Sequence, residues 1–500
     1  MKSKRFLWIL IFSLFPQLSS AQNYLGDFSS SADIGPVKHK GLTLYNSKDQ
    51  IYRLSGSGSN IWFDKDEFHF TYKKLSGNFI LRTRAKFIGE GVDPHRKLGW
   101  MVRTTTEPSA AMVCATVHGD GLTSIQYRKK EGTHIEEVKC PINAPDIIQL
   151  ERRGRSFFMS VATYGNPFWT VEIPDFDFPV EMLAGLFVCS HNADIVEKAE
   201  FANVRIVIPP DTKFTPYNDY IGSHLEIMEI QTGARKILYS APNSIQAPNW
   251  TPDNKTLIFN SEGLIYRFDL SDNKIDVLPT DFANRNNNDH VLSFDGTMLG
   301  ISSSSGEAQY GSIVYTVPVN GGIPKRITPL GPSYLHGWSP DGKWLTYTGR
   351  RNDKYNIYKI LSNGKGDEIK LTDQPTLDDG SEYTPNGKFI YFNSARTGSM
   401  ELWRMLPDGS HQEQLTDDEL QNWFPHISPD GKWVVFLSYL PEVDAQDHPF
   451  YKQVYLRKIP LDGGRPKVVA YLYGGQGSIN VPSWSPDSRY IAFISNSKID

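Results

Sequence analysis

SPDGKWLTYTG, residues 339–349, decides the fold, because the chain repeats it. The same short turn appears as TPDN at 251–254, SFDG at 293–296, SPDG at 339–342, TPNG at 384–387, SPDG at 428–431 and SPDS at 485–488. The turn Asp or Asn falls at 253, 295, 341, 386, 430 and 487, so the intervals are 42, 46, 45, 44 and 57 residues. Each residue type has a reason. Proline presets its φ, the Asp or Asn side chain caps the turn, and glycine accepts a positive φ. The Ser or Thr ahead of it can bond into the same turn. A short apolar strand follows each copy, then a third strand such as YNIYKIL (355–361), then a fourth near IKLTD (369–373). Four strands per period of about 40–45 residues make one propeller blade.

Six turns predict six blades. The first outer strand pair, residues 224–239, has no inner hairpin before it, and the last inner hairpin, residues 482–496, has no outer pair after it. The N- and C-terminal strands of this half are therefore expected to pair in one blade and close the ring, which hides two edges. The long last interval is filled by LPEVDAQDHPFY (440–451), read as a loop that reaches over a propeller mouth or toward the N-terminal half.

The N-terminal half follows another grammar. FILRTRAKF (79–87) places Phe79, Leu81, Thr83, Ala85 and Phe87 on one face and Ile80, Arg82, Arg84 and Lys86 on the other, as in a half-buried strand. Further strands alternate with turn residues, without a repeat or a helical stretch, and two packed antiparallel sheets are the economical arrangement. The fold class read from the chain is all-β, a jelly-roll sandwich followed by a six-bladed propeller. The divisions are a leader over 1–21, the sandwich over 22–208, a proline-containing linker over 209–222 and the propeller over 223–500.

The leader has Lys2, Lys4 and Arg5, an apolar run over 6–15 and small residues before a cut after Ala21, the pattern of a secretory signal peptide. The run is too short to span a bilayer, and no later segment approaches the roughly 20 apolar residues required. The expected location is periplasmic or secreted. Losing the leader takes the net charge from −4 to −7, and no basic run suggests a nucleic-acid partner. Cys114, Cys140 and Cys189 permit one disulfide or three buried thiols.

Two resemblances follow from these motifs. SGSNIW (57–62), KLGWMVR (97–103), ERRGRSFFM (151–159) and the closing segments at 184–192 and 199–206 resemble concanavalin-A-like and laminin-G-like domains, which implies carbohydrate binding among other roles. The repeats of the second half resemble TolB-type (PD40 repeat) propellers, the partner-binding periplasmic proteins of the Tol–Pal system. Similar blades occur in oligogalacturonate lyases, which imply a divalent metal and acidic sugars.

Residues before each inner strand and after each second strand should share one mouth of the channel. The approaches bring His290, His336 and His426 with Asp289, Asp379 and Glu382, and the returning ends bring Arg350 and Arg396. Three imidazoles at like positions are candidate ligands for one divalent metal. Arginines favour planar anions, and Tyr334 and Trp423 are candidate stacking platforms. His426 stands one position out of step with His290 and His336 relative to the turn. The expected function is binding of an oligosaccharide or an envelope protein at this mouth. The alternatives are a metal-dependent lyase or hydrolase of acidic oligosaccharides and a protein–protein scaffold.

Overall fold

The turn chemistry read from the sequence organises the second half of the chain. In the computed structural model, which describes residues 25–499 apart from 212, 216 and 308, Ser339 Oγ donates to Asp341 Oδ1 (2.6 Å) and accepts from the Trp344 amide (2.9 Å). The same side-chain bond recurs at Ser293–Asp295, Ser428–Asp430, Ser485–Asp487, Thr251–Asp253 and Thr384–Asn386. Each turn thus joins an inner strand to its neighbour with its polar groups satisfied locally.

Five four-stranded antiparallel sheets result. Their inner strands are Ile245–Trp250, Asn286–Leu292, Ser333–Trp338, Asp378–Tyr383 and Gln421–Ile427. A sixth sheet takes strands from both ends of this half. In it, Ser223–Glu229 lies between Arg235–Ala241 and Tyr490–Asn496, with Ser223 opposite Asn496. The architecture is all-β with a six-bladed propeller, and no helix occurs among the described residues. None is therefore long and apolar enough to cross a membrane. The expected leader, 1–21, lies outside the described residues.

The N-terminal half consists of two seven-stranded sheets. One runs in the order Ser30–Ile34, Phe68–Ser76, Glu181–Cys189, Lys97–Arg103, Met112–His118, Thr123–Arg128, Glu136–Lys139. The other runs Trp169–Ile173, Ser156–Ala162, Ile147–Arg153, Phe79–Phe87, Glu197–Val207, Ile51–Gly56, Leu42–Asn46. Phe79, Leu81, Trp100 and Leu150 contribute to a core shared by both sheets. Two large sheets are what the structure shows, and the finer jelly-roll description does not follow from this order. The three cysteines are all buried and unpaired, so the disulfide alternative is not realised.

The first half of the strand Phe79–Phe87 corrects the half-buried expectation, while Lys86 on the same face stays exposed. Ile80 and Arg82 are as buried as Phe79, because the propeller covers the second face. Arg82 donates to the Tyr471 carbonyl and through Nε to Gln149 Oε1 (2.8 Å). Ile80 and Val207 cluster with Ile221, Tyr451 and Tyr473. At the centre of this contact Glu226 is fully buried between Arg205 (2.5 Å) and Arg235 (2.6 Å). Burial opposes the ionised Glu226, but the two guanidiniums outweigh it and hold the carboxyl far below its usual range.

Candidate functional site

Every one of the five inner strands carries a register shift against its neighbour. The shifts fall between Gln246 and Asn249, Asn286 and His290, Leu335 and Gly337, Asp379 and Glu382, and Trp423 and His426. Positive φ at Ala247 (55°), Gly380 (65°) and Phe424 (55°) marks the bulges. Gly380 has a strict reason, since a Cβ there would lie 2.4 Å from Asn393 Oδ1. A bulge re-aims the side chains around it. Residues that share a position in sequence are thereby sent to different places.

Four of the expected residues meet in one pocket. Asp289, Tyr334, His336 and Asp379 line a cavity of about 320 Å³ with His448 and Asn480. His336 Nε2 lies 2.8 Å from Asp379 Oδ1. Thr348 Oγ1 (2.6 Å) and the Gly380 amide (2.9 Å) donate to the same oxygen, and His448 Nε2 stands 4.0 Å from Oδ2. The Asp289 carboxylate accepts one hydrogen bond among the described residues, from Asn287 Nδ2 at 2.8 Å.

These surroundings separate the two carboxylates. Burial works against the Asp379 charge, but His336 outweighs it and draws the carboxyl down to about 2. Burial likewise works against a proton on His336, yet the charge of and bond to Asp379, with Asp289 adding, raise its pKa. Burial dominates at Asp289 and pushes it up to about 6, against the pull of His336. Burial lowers His448. The pocket therefore holds an Asp379–His336 pair in which each partner favours the charged form of the other, and a second carboxyl, Asp289, whose hydrogen bond among the described residues comes from an amide and not from a basic group.

His448 was not anticipated by residue, but its loop was. The 440–451 segment folds over this mouth, where His448 meets the Trp423 ring edge-on (4.6 Å) and Phe424 (5.6 Å), and Gln446 Oε1 accepts from the Leu377 amide. The 57-residue interval between the last two turns was the available signal.

The other expected residues lie elsewhere. His290 is fully buried, its Nε2 3.4 Å from the Ile258 carbonyl, and burial lowers it to about 4. His426 spends both nitrogens, on Glu382 Oε2 (2.6 Å) and the Ile479 carbonyl (2.6 Å). Glu382 also accepts from the Ile427 amide (2.9 Å). The three imidazoles thus serve separate partners, and among the described residues no group of three or more His, Cys, Asp or Glu is placed to hold a metal ion. The expected metal set does not fit.

Trp423 is fully buried in the core between sheets and offers no stacking face. Arg350 pairs with Asp353 (2.9 Å) and lies over Tyr355 at the rim. Arg396 is committed to Asp378 (3.1 Å) and to Ser394 Oγ (2.7 Å), stacked on Trp403. Neither arginine lines the pocket.

At the turn end of the inner strands a second cavity, about 280 Å³, is lined by Trp250, Trp338, Trp484 and turn prolines, with Glu382. Trp338 Nε1 donates to the Val291 carbonyl (2.9 Å) and Trp484 Nε1 to that of His426 (2.9 Å). Trp338 and Trp484 thereby tie their sheets to the preceding ones.

Comparison with known proteins agrees with this architecture. The family model described as the TolB β-propeller domain, PD40, matches residues 332–448. The uncharacterized protein Atu1656 of Agrobacterium fabrum is 43% identical over 274 residues, 54% of this chain and 92% of that protein. A solved structure of a TolB-like protein from Agrobacterium tumefaciens is 41% identical, covers 56% of this chain and 100% of its own, and superposes with a TM-score of 0.54. The Tol-Pal system protein TolB of Francisella tularensis is 25% identical over 281 residues, 54% of this chain and 61% of that protein.

Proposed function

The chain belongs to the TolB-type β-propeller family, and from that premise we propose that it is an exported periplasmic protein that binds an envelope protein at the His336–Asp379 mouth of a closed propeller. The pairing of Ser223–Glu229 with Tyr490–Asn496 supports closure. The charge of Asp289 carries the binding reading. A buried carboxylate with one amide donor costs free energy that a cation recovers. The partner group best suited to the pocket is a lysine ammonium or an arginine guanidinium, seated between Asp289 and Asp379. His448 and the 440–451 loop flank the entry and shield the pair from water, which strengthens it.

The reading is tested by calorimetric titration of the full chain with trilysine and with its Nε-acetylated counterpart. Trilysine should bind at pH 7.5, and the acetylated peptide should not. Affinity should fall roughly tenfold by pH 5, because Asp289 is then about nine-tenths protonated if it titrates near 6. Binding unaffected by Asp289→Asn and by pH, or equal binding of the acetylated peptide, refutes the assignment.

A further inference from the structure

Beside the acidic pocket lies a cavity of different chemistry. It encloses about 640 Å³ at the seam between the first two inner strands, the 209–222 segment and the 440–451 loop. That volume falls in the range of roughly 300–1,000 Å³ usual for small-molecule sites. Seven of its lining side chains are carboxamides, and its only formal charges are Glu262 and Arg285, one of each sign.

Three of those carboxamides have oxygens that find no hydrogen-bond donor among the described residues: Asn260 Oδ1, Asn286 Oδ1 and Gln476 Oε1. Asn260 and Asn286 are themselves more than nine-tenths buried. Asn286 is also fixed in direction. Its Nδ2 donates to the Ala283 carbonyl (2.7 Å) and the Gly263 carbonyl (2.8 Å). Two acceptors at one end of the amide identify that end as the nitrogen, which leaves the oxygen as the spare group. Buried acceptors are normally paired, and these oxygens are closed to solvent, so the carboxamides open to the cavity are the partly exposed Asn243, Gln246 and Asn287.

One wall is aromatic. Phe450 meets Tyr217 and Tyr220 edge-on, each at 5.6 Å, and both tyrosines are about half exposed, at 51% and 47%. These rings come from the segment before the propeller and from the extra loop. No blade repeat supplies them.

We propose that this cavity binds a neutral saccharide. Sugar hydroxyls exchange hydrogen bonds with the partly exposed carboxamides Asn243, Gln246 and Asn287, while an apolar ring face packs on the exposed tyrosines. An acidic sugar would gain no net positive field here, and a cationic ligand is better served in the adjoining pocket. The proposal stands apart from the partner-binding reading, although the two cavities share Asn287, Asn288 and Gln476.

The test is saturation-transfer NMR and calorimetry on the full chain with maltotetraose, cellotetraose and chitotetraose, alongside tetraalanine. At least one saccharide should bind with 1:1 stoichiometry. Tyr220→Ala and Gln246→Ala should each weaken it at least tenfold with melting temperatures unchanged, while Asp289→Asn should leave it unaltered. The proposal is overturned if none of the three saccharides binds at millimolar concentration. It is equally overturned if the two variants bind normally, or if tetraalanine displaces the sugar and assigns the cavity to peptide backbone.

Discussion

Replacing Asp289 by asparagine preserves the shape of the side chain and the bond from Asn287 Nδ2 while removing a buried charge. Burial has raised this carboxyl from its ordinary 3.8 to about 6. A carboxyl whose pKa is higher in the folded state than in the unfolded chain is protonated more readily when folded. The wild-type protein therefore loses stability as pH rises from 3.8 to about 6, and the loss is complete above that window. A difference of about 2 in pKa corresponds to about 3 kcal/mol. Asp289→Asn should therefore stabilise the fold by about 2–3 kcal/mol at pH 7.5, the lower figure allowing for the pull that Asp289 exerts on the proton of His336. The gain should fall to about 0.5 kcal/mol at pH 4, where both proteins carry a neutral group at 289. Urea denaturation followed by tryptophan fluorescence, at pH 4, 5, 6 and 7.5, measures the difference directly. A variant no more stable than wild type at pH 7.5, or a gain of the same size at pH 4, would refute the argument. Added stability accompanied by lost trilysine binding is the signature of a charge kept for binding rather than for folding.

Two further substitutions probe the buried pairs that do not bind ligand. His426→Ala takes one of two donors from the buried Glu382 and should cost about 2–3 kcal/mol, read from the urea midpoint; a loss below about 0.5 kcal/mol would place water at that carboxylate. Glu226→Ala leaves Arg205 and Arg235 buried without their shared partner and should cost about 3–5 kcal/mol at pH 7. Because Glu226 is held far below its usual range, its contribution is fully present well above pH 4.5 and is lost progressively as pH falls from about 5 into the acid range. A thermal unfolding series from pH 3 to 8 in which wild type and variant stay parallel from pH 8 to about 5.5 and converge steadily below about pH 5 bears this out; convergence already above pH 6, or none by pH 3, contradicts it.

The spacing of the turns near 253, 295, 341, 386, 430 and 487 was enough to read six blades and the shared sixth sheet, because a turn is a local device whose residue types follow from φ and side-chain capping. Alternation was likewise enough for the strand Phe79–Phe87, since Phe79 and Leu81 reach the core through a period of two. Three matters lay beyond the sequence. The burial of Ile80 and Arg82 depends on a surface brought from residues 451 and 471–473, hundreds of positions away. The separation of His290, His336 and His426 depends on bulges, where one extra residue turns a strand and equal spacing no longer means equal direction. The unequal titration of Asp289 and Asp379 depends on the direct bond that Asp379, and not Asp289, makes to His336 and on how little water reaches either carboxyl. Spacing along a chain specifies local backbone geometry, whereas charge state and ligand chemistry are set by distances and burial that only the packed sheets create.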